Sequence, residues 1–200
     1  TDSLVLGLLG GAVRGELEYD DVLRQLDLSG WHAGAYASYL SGGFHLAAVA
    51  KAEFLKLDTE TVGFPDELDA ETFGGRVDVG YRFGAAHFYL QPLATIAAVW
   101  SRMDGFSNGT NTVDFEDGSS VRARLGLRVG TTLHPLPGVA LEPFLEASLW
   151  SELDGDNRAS LVSDGEPFSF TDSQDDIWGV VSVGLVMSGS SGTSSFAKAD

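Results

Sequence analysis

Arg122, Arg124 and Arg128 alternate with Val121, Ala123, Leu125, Leu127 and Val129. Side chains of an extended strand point alternately to two faces, so the three guanidinium groups share one face and the aliphatic residues the other. Guanidinium groups bind carboxylates through forked, charge-assisted hydrogen bonds. Glu142 and Glu146 fall on the polar face of the next strand, where cross-strand pairing suits them. Two compatible readings follow: a row of ion pairs that fills an interior, or a polar wall along which another chain passes. The split recurs earlier. Arg76, Asp78 and Arg82 oppose Phe73, Val77, Val79, Tyr81 and Phe83, and Lys51 and Glu53 oppose Phe44, Leu46, Ala48, Ala50, Ala52 and Phe54.

Other chemistry finds no constellation. His32, His45, His87 and His134 sit in separate segments without metal-ligand spacing. Asp154-Gly155-Asp156-Asn157 begins like a calcium loop, but Ala159 and Gly165 stand where such a loop needs Gly and Glu. There is no phosphate-binding glycine loop, nucleophile elbow or zinc motif. The expectation is therefore a protein without enzymatic activity, metal or cofactor.

The elements that must position these charges are strands. Alternation and turn residues predict them at about 3–15, 28–40, 44–57, 70–83, 87–103, 120–133, 139–152 and 176–188, with the start of another at 194–200. Most exceed the usual ~5–6 residues and reach the ~9–11 that a tilted strand needs to cross a bilayer. Short connections (41–43, 84–86, 134–138, 189–193) alternate with long polar ones (16–27, 58–69, 104–119, 153–175). Up-and-down barrels of outer membranes have this rhythm. No helical segment is convincing, although 22–26 is open to a helical turn. Pro92 and Pro143 each remove a ladder donor and require an edge or a bulge. Gly7, Gly10, Gly11, Gly74, Gly80, Gly126, Gly130 and Gly184 are expected to relieve crowding where strands bend.

Composition narrows the partners. The 200 residues hold no cysteine, so disulfides and thiolate metal sites within the chain are excluded. The net charge of −17 argues against nucleic acid. The strand charges nearly balance, which places the acidic excess in the long connections around Asp20, Asp58, Glu67, Asp117, Asp154 and Asp175. No apolar run is long enough for a transmembrane helix, a criterion that does not apply to a barrel. The N-terminus carries no signal-peptide pattern, which fits either a protein that is not exported or a chain beginning within a longer precursor. Trp31, Tyr39, Phe44, Phe54, Phe73, Tyr81, Phe83, Phe88 and Trp100 lie near strand ends, as the interfacial girdles of a membrane barrel do.

These patterns together resemble the C-terminal β-domain of autotransporters. The resemblance rests on Ser29–Tyr39 (SGWHAGAYASY), Gly74–Phe83 (GGRVDVGYRF), Phe88–Ala94 (FYLQPLA), Asp104-Gly105-Phe106, Arg122–Arg128 (RARLGLR) and Leu141-Glu142-Pro143-Phe144. It implies an all-β, antiparallel up-and-down transmembrane barrel of twelve strands, of which residues 1–200 supply about nine as a single domain fragment. It further implies a place in the bacterial outer membrane and contact with lipid and lipopolysaccharide. The implied partners are its own N-terminal passenger, a pore helix and the barrel-assembly machinery. The lumen wall would then comprise Lys51, Glu53, Arg76, Asp78, Arg82, Arg122, Arg124, Arg128, Glu142 and Glu146. Two alternatives stay open at this point: a porin or adhesin barrel, and a soluble lipocalin-like binding barrel.

Overall fold

A computed structural model describes residues 2–19, 24–59, 67–85, 88–107, 111–163, 166–172, 177–190 and 193–199. These form fourteen strands and, among the described residues, no helix. In chain order they are β1 (Ser3–Tyr19), β2 (Arg24–Ser41), β3 (Phe44–Thr59), β4 (Glu67–Tyr81), β5 (Phe83–Ala85), β6 (Phe88–Met103) and β7 (Phe106–Ser107). There follow β8 (Asn111–Phe115), β9 (Gly118–Thr131), β10 (Leu133–Leu136), β11 (Val139–Ser163), β12 (Glu166–Asp172), β13 (Ile177–Gly189) and β14 (Ser194–Ala199). The wall runs β1-β2-β3-β4-β6-β9-β11-β13-β14, each strand antiparallel to the one before it. This is the meander expected from the sequence. The short turns include Gly42 and Gly138, whose φ of 57° and 77° suit glycine.

Burial runs opposite to that of a water-soluble protein. Leu125, Leu149 and Val181 are 70%, 63% and 66% exposed, whereas Glu146 and Ser182 are each 1% exposed and Arg124 is 8% exposed. Among the described residues only Ala70, Tyr89 and Phe144 are buried hydrophobics. A soluble lipocalin-type barrel would place its aliphatic rows inside. Here they form a continuous outer face, the arrangement that hydrocarbon rather than water accommodates.

The structure extends the expected strands. Arg24–Leu26, open on sequence to a helical turn, pair in extended register with Leu17–Tyr19. The stretch expected to end at residue 152 continues to Ser163 within β11. Its far end pairs with β8 on one flank and β12 on the other. Two connections expected to be plain loops thus carry strands of their own. Pairing partners, not apolar alternation, hold this outer extension extended, so hydrophobic periodicity did not signal it.

Both prolines interrupt a ladder on one flank only. The β4–β6 ladder ends at Gly80↔Leu93 and resumes as β5–β6 at Phe83↔Leu90, leaving a gap at Tyr81–Arg82 opposite Pro92. The Arg82 N–H points to the opposite flank and donates to the Gly43 carbonyl in the β2–β3 turn at 2.7 Å. Likewise β9–β11 ends at Gly130↔Phe144 and β10–β11 resumes at Leu133↔Leu141, beside Pro143. On their other flanks Pro92 and Pro143 stay in register with Leu127 and Leu185. Losing a single N–H therefore breaks one ladder and leaves the strand whole.

The glycines do something more specific than relieve bends. Gly7, Gly11, Gly80, Gly130 and Gly184 lie directly opposite Tyr36, His32, His45, Tyr89 and Phe144 in cross-strand register. In each pair the ring covers the glycine, and an added Cβ would overlap ring atoms. Gly184→Ala should therefore cost about 1–3 kcal/mol, the usual range for overpacking. Phe144 is buried and its ring carries the Arg128 guanidinium 4.3 Å above its centroid, so it has little room to move. Comparing the temperature at which folded Gly184→Ala and Gly184→Ala/Phe144→Leu barrels unfold on semi-native gels checks this. The second change should restore most of the loss.

Candidate functional site

The ten charged residues expected on one face do share it, and they pair locally. Lys51 pairs with Glu53, two positions along β3. Arg76 forms a fork to Asp78, with both bonds 2.7 Å long, and Thr95 donates to Asp78 at 2.7 Å from β6. Arg124 and Arg128 converge on Glu146, with Arg128 Nε and Nη2 at 2.9 and 2.7 Å from Oε2. Lys198 Nζ approaches the same carboxylate at 3.6 Å.

The sequence suggested Glu142 and Glu146 as joint partners of the three β9 arginines. The structure separates them. Arg122 turns to Glu152 at 3.5 Å, and Ser120 donates to that carboxylate at 2.6 Å. Glu142 instead receives Arg82, at 3.1 and 3.3 Å, from across β6 and β9. Thr132 joins this group through the Arg82 guanidinium at 3.2 Å. Arg82 and Thr132 are the residues at the two proline-linked ladder gaps, so the side-chain group ties those gaps together.

Sequence reasoning missed Glu152, Lys198, Thr95 and a set of inward aromatics. Each face arginine on β9 or at Arg82 lies over a ring: Arg82 on Tyr89 at 3.7 Å, Arg128 on Phe144 at 4.3 Å, Arg124 on Trp150 at 5.4 Å and Arg122 on Trp178 at 5.7 Å. Trp150 and Trp178 stack with centroids 6.1 Å apart. Their signal was in the chain: Phe144, Trp150 and Glu152 share the even parity of Glu142 and Glu146. A guanidinium over a ring face gains ~0.5–2 kcal/mol, more as water is excluded. The rings also hold the guanidinium planes in place.

The aromatics expected near strand ends all lie on the opposite, outer face and gather into two groups. Trp31 stacks on Phe54 at 4.4 Å, Phe54 meets Phe73 edge-on at 5.9 Å, and Trp100 pairs with Phe73 in register. Tyr39 and Phe44 lie 6.4 Å apart, Tyr81 and Phe83 4.5 Å apart, and exposed Phe88 lies in the same region. From Trp31 to Tyr39 the chain spans about 26 Å of strand. A tilt of about 40° shortens that to about 20 Å along the normal, close to the ~25 Å apolar band of a membrane barrel.

Of the histidines, His32 and His45 cover glycines, and His45 Nδ1 lies 3.1 Å from Gln91 Nε2. His134 is exposed on β10, and His87 lies outside the described residues. Among the described residues no three His, Asp or Glu side chains converge as metal ligands. The Asp154–Asp156 stretch is paired strand, facing Val121–Ser119.

Beyond the wall, Arg102 forks onto Asp117 at 3.0 and 3.1 Å. That hydrogen bond holds the Asp117 carboxyl below its ordinary range. The lowered value means the contact is intact above the usual carboxylate pKa and is lost as pH falls through the lowered one. Protease sensitivity of the 104–118 connection should rise over that acidic window. Asp117→Asn should be sensitive at every pH.

Comparison with known proteins gives a consistent picture. The chain is 33% identical over 135 residues to the pertactin autotransporter of Bordetella bronchiseptica, covering 62% of this chain and 14% of that protein. It is 27% identical over 140 residues to the probable autotransporter YpjA of Escherichia coli, covering 66% of this chain and 9% of that protein. The chain thus spans about a seventh of the pertactin it matches. Its fold matches the transport unit of the autotransporter AIDA-I from Escherichia coli with a TM-score of 0.65 at 14% identity, over 98% of this chain and 73% of the other. It also matches the beta domain of the Bordetella autotransporter BrkA with a TM-score of 0.62 at 15% identity, over 98% and 78%. The autotransporter beta-domain model matches residues 1–200, and the chain belongs to this family of outer-membrane β-barrels.

Proposed function

We propose that this chain supplies most of the wall of a translocator barrel in type V secretion, through which an N-terminal passenger reaches the cell surface. The observation that carries this reading is the inversion of burial: aliphatic rows outside, an ion-paired and ring-lined face inside. Lys51, Glu53, Arg76, Asp78, Arg82, Arg122, Arg124, Arg128, Glu142 and Glu146 then line the lumen, and the passenger or a pore helix lies against them. The two outer aromatic groups mark the membrane interfaces, where they meet lipid and lipopolysaccharide. Antiparallel pairing satisfies the backbone in hydrocarbon, and insertion is assisted by the barrel-assembly machinery. The mechanism is conduction along a polar path, with no bond made or broken by this domain.

The test uses the full-length protein in a Gram-negative host. Externally added protease should shave the passenger from intact cells. Deleting residues 1–200 should leave the passenger inside, protected until the outer membrane is opened. A passenger that still reaches the surface without this domain would overturn the proposal.

A further inference from the structure

The lipid-facing side of the wall is uneven. On β9, β11 and β13 it carries Leu125, Leu149 and Val181, whereas on β2, β3 and β4 it falls to Ala37, Ala48, Ala50 and Gly75. These small residues floor a groove of about 840 Å³, with Leu8 of β1 on one side and Ile96 and Trp100 of β6 on the other. Leu8 is 87% exposed and Trp100 54%, so both walls stand clear of the floor. Gly75 differs from the five ring-covered glycines. Its φ is not positive, and an added Cβ would meet only the Val49 carbonyl, at an ordinary 3.7 Å. Glycine weakens a strand interior and marks places where something else comes close. No turn, ring or neighbouring strand of this chain requires glycine at 75, so the low floor suits a body outside the chain.

A second cavity, of about 430 Å³, lies along the same strands toward the long connections, at the Trp31–Phe54 stack. Lys56, Asp69, Glu71, Arg102 and Asp104 line it. Lys56, Glu71 and Arg102 each stand two positions from an outer aromatic, Phe54, Phe73 and Trp100, and so share the outer face. Glu71 faces Arg102 in register, and the Asp104 N–H donates to the Asp69 carbonyl at 3.0 Å. Glu67 pairs with Lys56 and Asp117 with Arg102, which leaves Glu71 and Asp104 without an ion pair among the described residues. The cavity thus presents charges of both signs with carboxylates to spare. From Lys56 to Ala50 is about 20 Å of strand, or about 15 Å along the normal at a tilt of about 40°. That is half of the ~30 Å hydrocarbon core. We propose that the two cavities together seat one lipid, with a phosphoethanolamine head in the upper cavity and an acyl chain along the groove. The ammonium donates to Glu71 and Asp104, and the phosphate accepts from Lys56 and Arg102. A lipid fits better than a second copy of the chain, because both head charges are met one lipid leaflet above an apolar groove. The site rests on the membrane placement of the barrel and not on passenger transport.

The experiment takes full-length protein from outer membranes, strips it by detergent exchange and places it in nanodiscs of phosphatidylglycerol with one guest lipid. The guest is phosphatidylethanolamine, or phosphatidylcholine, which keeps the phosphate but has no ammonium N–H to donate. Native mass spectrometry then reads the lipid retained on the released protein. The expected result is one retained phosphatidylethanolamine, reached at about a tenth of the mole fraction that phosphatidylcholine needs, the scale of one charge-assisted hydrogen bond. Glu71→Gln should abolish that preference while phosphatidylcholine is retained as in wild type. Asp104→Asn reads the same head contact if Glu71→Gln does not fold. Gly75→Leu fills the floor and should lower retention of both guests alike, and Gly75→Ala should do so more weakly. If wild type retains no lipid or shows no preference, or if head and floor variants behave like wild type, the site is overturned. A lipid-free dimer would assign the groove to contact between copies and equally overturn it. Flotation of the same protein with outer membranes is scored separately. A folded, membrane-embedded protein without the preference overturns the site alone, and a protein that does not float overturns the membrane placement.

Discussion

Glu146→Ala is expected to destabilise the folded barrel by about 3–5 kcal/mol, the cost of removing one partner from a buried ionic group. Glu146 is 1% exposed and accepts from Arg124 and Arg128 together. Alanine leaves two guanidinium groups facing each other in a poorly hydrated place, with the Lys198 ammonium nearby. The effect should appear as a lower temperature for conversion of the compact, fast-migrating form on semi-native gels. Glu146→Ala/Arg124→Leu should recover part of the loss, because it removes one of the stranded charges and residues in one network are not additive. A drop equivalent to less than about 1 kcal/mol, the value of an exposed pair, would show that Glu146 meets water in the assembled protein.

Leu125→Arg is expected to act on insertion instead. Leu125 sits in the middle of β9, is 70% exposed and points away from Arg124. An arginine on the lipid face near the midplane costs about 2–4 kcal/mol. Arg124→Leu, one position away, should cost less, because Glu146 keeps Arg128 and Lys198 as partners. The measurement is the fraction of each variant recovered folded in the outer-membrane fraction. Equal losses for the two would refute the assignment of faces.

Adjacent residues with opposite fates show what the chain discloses by itself. Alternation distinguishes Arg124 from Leu125 because strand geometry repeats every two residues, a local rule interrupted in β11 by the register shift between Glu152 and Asp154. It groups the nine aromatics on one face of the sheet and the ten charges on the other. It could not say which charge meets which. Arg82 reaches Glu142 across β6 and β9, and that contact depends on three registers and two proline gaps. Nor could it find the outer end of β11, where Asn157–Ser163 are held by β12 and Ser163–Ala159 by β8. Glu152 and Trp150 were within reach of the same parity rule. Both fall inside the stretch expected at 139–152 and share the parity of Glu142 and Glu146.

The ring-over-glycine pairs have a consequence for errors. A one-residue slip between strands turns every side chain to the wrong face and is rejected by solvent and lipid alike. A two-residue slip preserves both faces, so hydrophobicity is nearly blind to it. The five ring pairs are not. Slipping β1 by two would set Tyr36 against Val5 or Leu9 instead of Gly7, and slipping β13 would set Phe144 against Ser182 or Val186 instead of Gly184. Neither offers the vacant place the ring needs. Each such hairpin thereby carries its own proofreading mark, legible as soon as two strands meet and before a third has arrived.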